Sequence, residues 1–490
     1  MTALTDLSPN LLWFFFDKIC SIPHPSKHEA ALSSWIQNWA REQGLPVKTD
    51  AVGNIIIKKP ATPGMENRKG VVLQAHIDMV PQANADTPHD FTTDPIQAYV
   101  DGDWVRARGT TLGADNGIGA AACLAVLADH HLKHGPLEVL LTIDEEAGMT
   151  GAFGLAPGLL EGEILLNTDS EQDGEVYMGC AGGIDANIRF AFTPEPIPAD
   201  HQALRLSVKG LRGGHSGVNI HQDRGNANKL LARLLQDAAA EQSLRLVQLE
   251  GGTLRNAIPR EASALLVVPK TAVTALQRQI EDHAARLKAE LQHIDGNLSI
   301  ELQDAELPAL CLDLDSQRRL LAALVACPNG VIRMSQAIAG VVETSTNLGV
   351  IQTVDNEVRI QCLIRSLNDE GRHYVEQMTH SLFTLAGAQC ELSGGYPGWA
   401  PDPASPIMQQ LRDTHQALFG ELPKIMVIHA GLECGLFKKA YPNLDMVSIG
   451  PTIKGAHSPE ERVSIPSVER FWQLLTATLA AIPTEEQALN

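Results

Sequence analysis

Three short apolar runs that each end in an acid or a histidine constrain this chain more than any other feature of its sequence. Residues 71–77 (VVLQAHI) lead into His76-Ile-Asp78, residues 139–143 (VLLTI) into Asp144-Glu145-Glu146, and residues 164–167 (ILLN) into Asn-Thr-Asp169. Runs this short, β-branched and continuous read as strands buried on both faces. Between the first two lies a glycine-rich turn, Gly113-Ala-Asp115-Asn-Gly117, followed by an alanine- and leucine-rich stretch (118–130) that reads as a helix. Strand, helix and strand in succession predict a mainly parallel sheet covered by helices. Ligands of such sheets bind beyond the carboxyl ends of the strands. Four successive connections therefore deliver His76, Asp78, Asp115, Glu145, Glu146 and Asp169 to one edge.

So many acids in one crevice repel one another unless cations neutralise them. Mixed imidazole and carboxylate ligation favours zinc, with cobalt or manganese as alternatives. A second histidine for such a site stands in the C-terminal segment Gly455-Ala-His457-Ser-Pro-Glu460. The competing reading is that each acid caps a helix or turn, and Asp115 taken alone reads as an N-cap. The vicinal Glu145-Glu146 at the end of an apolar run argues against it, because such a pair is costly there without a bound positive charge.

The rest of the chain narrows the setting. With 490 residues, two or three domains are expected. A formal charge of −20, from 58 acidic and 38 basic residues, disfavours nucleic acid as a partner. The apolar run 11–16 is flanked by Asp6 and Asp17 and has no basic region before it, so it reads as a buried helix after Ser8-Pro9 rather than a signal peptide. No stretch is long enough to cross a bilayer, and no membrane partner is expected. Eight scattered cysteines without a CxxC pair suit free thiols in a reducing, cytoplasmic compartment.

Near Cys180 the texture changes. Segments 186–192, 203–208 and 262–268 read as strands and 226–240 and 271–292 as helices, the pattern of a separate α+β layer. The glycine- and proline-dense stretch 393–406 reads as a linker. Helix, strand, strand and helix then return at 407–418, 425–428, 445–449 and 467–481. The expected organisation is an α/β catalytic domain built from residues 1–185 and 395–490, interrupted by an inserted α+β lid domain at 186–394.

His76-x-Asp78, Gly113-x-Asp115, Asp144-Glu145-Glu146, Asn167-Thr-Asp169 and Gly455-Ala-His457, in this order, resemble the five motifs of the carnosinase/aminoacylase-type dinuclear zinc exopeptidases. The resemblance implies a zinc-exopeptidase-like fold and two divalent metal ions, most simply Zn2+. His76, Asp115 and Asp169 would hold one ion; Asp115, Glu146 and His457 would hold the other. Glu145 would be the general base, and Asp78 would orient His76. A cis bond after Asp115 is also implied. In the lid, His215 of Gly-Gly-His215-Ser-Gly would stabilise an oxyanion, supplied from a homodimer partner or a second lid half. Asn256 and Arg365 would bind substrate, Arg365 through its terminal carboxylate. His429 and Glu433 of His429-Ala-Gly-Leu-Glu433 would form the substrate loop of the main domain. Aspartate rather than glutamate at 169 points within the family to unblocked dipeptides as substrates, Xaa-His dipeptides such as carnosine included. An N-acyl-amino-acid deacylase or carboxypeptidase is the alternative, and a peptide-binding scaffold the non-enzymatic one.

Overall fold

The computed structural model describes residues 3–84 and 86–484. They divide into one unit of residues 1–179, 401–427 and 432–490, and another of residues 180–400 and 428–431. The boundaries expected at 185/186 and 394/395 thus fall at 179/180 and 400/401. The short piece 428–431, carrying His429, groups with the second unit rather than with the main domain.

In the first unit, an eight-stranded sheet runs in the order Val47–Thr49, Ile55–Lys59, Leu137–Thr142, Val71–His76, Ile164–Asn167, Asp445–Ser448, Glu175–Cys180, Lys424–Ile428. Its four central strands, from Leu137–Thr142 to Asp445–Ser448, pair in parallel. Val47–Thr49 with Ile55–Lys59, Ile55–Lys59 with Leu137–Thr142, and Asp445–Ser448 with Glu175–Cys180 pair antiparallel, so the sheet is mixed rather than parallel throughout. Every residue of Leu137–Thr142, Val71–His76 and Ile164–Asn167 is buried, as strands covered on both faces require. The helix Ala114–Ala128 is buried on all sides from Gly117 to Leu127, which only a helix so rich in alanine and leucine tolerates. Helices Pro406–Phe419 and Ile465–Ala481 start cleanly because Ser405 and Ser464 cap them, each with proline in the first turn. A separate four-stranded sheet joins Ala98–Asp101, Trp104–Ala107, Arg462–Ser464 and Ile453–Lys454.

The second unit is an antiparallel sheet with the helices Ala227–Glu241, Val273–Leu291, Leu314–Ala326 and Asp369–Leu385. Leucines of the first three helices and Val375 and Phe383 of the fourth share a single apolar core with the sheet. The stretch read as a linker is partly strand. Gln389–Tyr396 pairs with Gly182–Ala191, and the register slips between Ser393 and Tyr396, where Gly394 takes φ +65°. Glycines that suggest a linker here absorb a bulge.

Candidate metal centre

The site in the first unit is assembled where the parallel strands end. His76 is the last residue of its strand, Asp144 to Glu146 follow Thr142, and Asp169 follows Asn167 by two residues. Asp115 lies at the start of the long helix, but its φ/ψ of −85°/107° and those of Asn116 are not helical, and the bond between them is cis. Gly113, at φ +72°, turns the chain into this loop, and a side chain there would also crowd the sulfur of Met79. His457 stands in the loop after Ile453–Lys454, itself at φ +63°.

Three distant segments meet at Asp115. Nε2 of His76 lies 3.2 Å from Asp115 Oδ1 and 3.3 Å from Asp169 Oδ1. Nε2 of His457 lies 3.2 Å from Asp115 Oδ2 and 2.9 Å from Glu146 Oε1. Two ligand triads result, His76–Asp115–Asp169 and Asp115–Glu146–His457, each with its donor atoms within 4.8 Å of one another and with Asp115 common to both. His76, Glu145 and Glu146 form a further group on the same criterion. A ring nitrogen carries one hydrogen at most, so it cannot satisfy two carboxylates by hydrogen bonding. The Asp169 Oδ1 and Glu146 Oε1 atoms are buried without a hydrogen bond. A cation between nitrogen and oxygens accounts for both facts, and the residues present fit divalent metal ions.

Electrostatics express the same crowding. Burial and neighbouring acids push the Asp169 carboxyl up to about 7. Burial, reinforced by the charges of Asp169, Glu146 and Glu433, raises Glu145 well above the usual carboxylate range. The Asp115 and Glu146 carboxylates beside its ring raise His457 to about 11. Asp78 behaves oppositely. Burial would raise it, yet His76 and the donors around it hold it down to about 2. Its carboxylate faces His76 Nδ1 at 3.2 Å and accepts from Ser26 Oγ at 2.7 Å and from the backbone N–H groups of Glu145 and Glu146 at 3.0 and 3.1 Å. One side chain thus fixes both the imidazole and the turn that carries the two glutamates.

Beneath these residues runs a belt of buried polar side chains crossing the central strands. Thr142 Oγ1 and Gln74 Nε2 donate to Glu433 Oε2 at 2.8 and 2.7 Å, Asn167 Nδ2 to Gln74 Oε1 at 2.5 Å, and Ser448 Oγ to Asn167 Oδ1 at 2.5 Å. Glu433 is completely buried, and burial pushes its carboxyl up to about 7. Glu433, expected in the substrate loop, lies with its side chain among the strands and does not reach solvent. Polar residues inside apolar runs are the one trace of this belt in the sequence.

In the second unit, His215 Nδ1 accepts from the N–H groups of Gly217 and Val218 at 3.1 and 3.0 Å, which puts the ring proton on Nε2. Burial and the Arg365 guanidinium lower His215 to about 4. Arg365 is buried, donates to the Tyr396 hydroxyl at 3.1 Å and lies 3.5 Å from His215 Nε2. His429 Nε2 is 2.7 Å from Ser345 Oγ, and burial with Arg365 lowers its ring to about 3. Asn256 is exposed beside Ala257, the residue paired with His215.

The family model described as peptidase family M20/M25/M40 matches residues 72–481. The cytosol non-specific dipeptidase of Escherichia coli (strain K12) is 57% identical over 485 residues, spanning 99% of this chain and 100% of that protein. The crystal structure of aminoacylhistidine dipeptidase from Vibrio alginolyticus superposes with a TM-score of 0.92 at 60% identity, covering 99% of each chain. A tripeptidase from Staphylococcus aureus shares the fold at a TM-score of 0.57 and 15% identity, over 97% of this chain and 99% of its own. No helix among the described residues is long and apolar enough to cross a membrane.

Proposed function

This chain belongs to peptidase family M20/M25/M40, and from that premise we propose that it hydrolyses unblocked dipeptides, Xaa-His dipeptides such as carnosine among them. It is a peptide hydrolase, and relatives named as dipeptidases match it along nearly its whole length. The observation that carries the reading is the shared carboxylate of Asp115, with a histidine nitrogen facing each of its oxygens and a further acid behind each histidine.

In this reading His76, Asp115 and Asp169 hold one divalent ion and Asp115, Glu146 and His457 the other. Zn2+ suits the nitrogen–oxygen donor set, with Co2+ or Mn2+ as substitutes. When bound, such ions supply Lewis acidity that lowers the pKa of water and polarises a carbonyl. Asp78 keeps the His76 proton on Nδ1, leaving the Nε2 lone pair for ligation. The Glu145 carboxylate takes the proton of the attacking water and returns it to the leaving amine. Burial and surrounding acids raise its affinity for that proton, as both halves of the task require. Neutral His215 donates from Nε2 to the developing oxyanion. Arg365 pairs with the terminal carboxylate, which its planar fork suits. Asn256 and His429 are assigned to substrate binding, and a homodimer is the proposed assembly. A cytoplasmic location accords with eight free cysteines.

Purified, zinc-loaded enzyme assayed on free dipeptides and on N-acetyl amino acids tests the substrate. Faster turnover of the acetylated compounds would replace this reading with a deacylase.

A further inference from the structure

Glu461 lies four residues after His457 and is 2% exposed. It is not placed in any ligand triad. Its carboxylate nevertheless grips the backbone that carries Asp115: Oε2 accepts from the N–H groups of Leu112 and Gly113 at 2.8 and 3.0 Å, and Oε1 accepts from the N–H of Asp115 at 3.2 Å. The loop that holds Glu461 is itself tied. Ser458 donates to Gly455 O through both its N–H (3.2 Å) and its Oγ (2.7 Å), and the Glu461 N–H donates to Ser458 O at 3.0 Å. On either side the anchoring continues. The strand Arg462–Ser464 follows Glu461 directly and pairs with Trp104–Ala107, the strand that precedes the Asp115 loop.

Asp115 is thus held from two directions by one five-residue segment, His457 to Glu461. His457 faces its side chain at Oδ2, and Glu461 binds its backbone. The loop needs such a hold because the residues around Asp115 depart from helical geometry and leave N–H groups that no helix satisfies. A carboxylate that accepts three backbone N–H groups is a strong and directional anchor.

We propose that Glu461 is a positioning residue that sets the Asp115 carboxylate between the two histidines, and so governs metal affinity without ligating metal. The inference rests on the metal-binding reading of the triads given above. Residues that orient metal ligands typically contribute about 10–100-fold in metal affinity or activity.

The test uses full-length protein stripped with a chelator and titrated with Zn2+ in competition with a chromophoric chelator. Co2+ absorption spectra then report the ligand field of the loaded protein. Glu461→Gln, which puts an amide among three N–H donors, is expected to weaken zinc binding about 10–100-fold, alter the Co2+ spectrum and lower kcat with KM nearly unchanged. Glu461→Asp, which keeps the charge, is expected to recover part of each, and it is read in the same way if the glutamine variant does not fold. Variants that match wild-type zinc affinity and Co2+ spectrum while losing only thermal stability would overturn the proposal and leave Glu461 a structural residue. Wild-type protein that takes up no pair of zinc ions would instead sink the metal reading itself, so the two failures are distinguishable.

Discussion

The two polar clusters of this molecule are built on opposite principles. In the first unit, Asp115, Glu145, Glu146 and Asp169 crowd around two histidines, and burial pushes Glu145, Glu146 and Asp169 toward their protonated forms. In the second, His215 and His429 are kept neutral by burial and by Arg365, with pKa values down to about 4 and 3. The acidic cluster is at rest only with added positive charge. The basic one needs no added cation, because a guanidinium stands beside neutral rings. A side chain's setting therefore cannot be read from its type alone: histidine sits among carboxylates in one cluster and beside a guanidinium in the other.

The largest effect should come from the acid that is not a ligand in either Asp115 triad. Glu145→Ala is expected to lower kcat by about 10²–10⁴-fold while metal content, measured by elemental analysis, stays at wild type. Near-normal turnover would remove Glu145 as the base, and loss of metal would make it a ligand. Next comes the dependence of the acidic cluster on cations. Free Zn2+ at about 1,000 times its Kd should stabilise the protein by about 4 kcal/mol relative to the stripped form, read as an upward shift in thermal unfolding. An unfolding curve indifferent to chelator would mean that protons, not metals, neutralise these acids.

How much of this was legible before the structure depends on where each residue stands in the chain. His76, Glu145, Glu146 and Asp169 were readable because short buried strands end just before them, and strand ends in an α/β sheet converge whatever the intervening sequence. His457 needed the family's motif order, since nothing local separates it from other loop histidines. Glu461 was not readable. It neighbours Glu460, whose side chain is 77% exposed, and only the fold decides which of two adjacent glutamates turns inward. Glu433 is a related case: a glutamate in a glycine-containing loop reads as exposed, yet it is buried with its Oε2 held by Gln74 and Thr142. The stretch 393–406 misled because glycine marks bulges as well as linkers.

The basic cluster gives the third test. Arg365→Ala should leave metal content unchanged and lower kcat/KM for dipeptides by about 10–100-fold, since a hydrogen bond to a charged group contributes about 1.5–3 kcal/mol. Amidating the dipeptide's C-terminus should then cost the variant little more. If the variant still strongly prefers a free carboxylate, another group binds it.

The smallest effect is the most specific to the second unit. His429 is 6% exposed, and its folded pKa of about 3 lies below the usual value of 6.5. A histidine with a depressed folded pKa binds protons more readily when unfolded, so its contribution to stability is present above the unfolded pKa and is lost as pH falls below about 6.5 toward the folded value. Going from pH 7 to 5.5 should therefore cost about 1 kcal/mol through this residue alone. His429→Gln removes the titration while keeping a group able to hydrogen-bond Ser345. The loss of unfolding free energy between the two pH values, measured in denaturant, should shrink by about that amount. If the pH dependence is unchanged in the variant, His429 titrates alike in the folded and unfolded protein, and the fold does not hold it neutral beside Arg365. The contrast between a cluster that awaits cations and one that excludes charge would then fail at the more buried histidine of the second cluster.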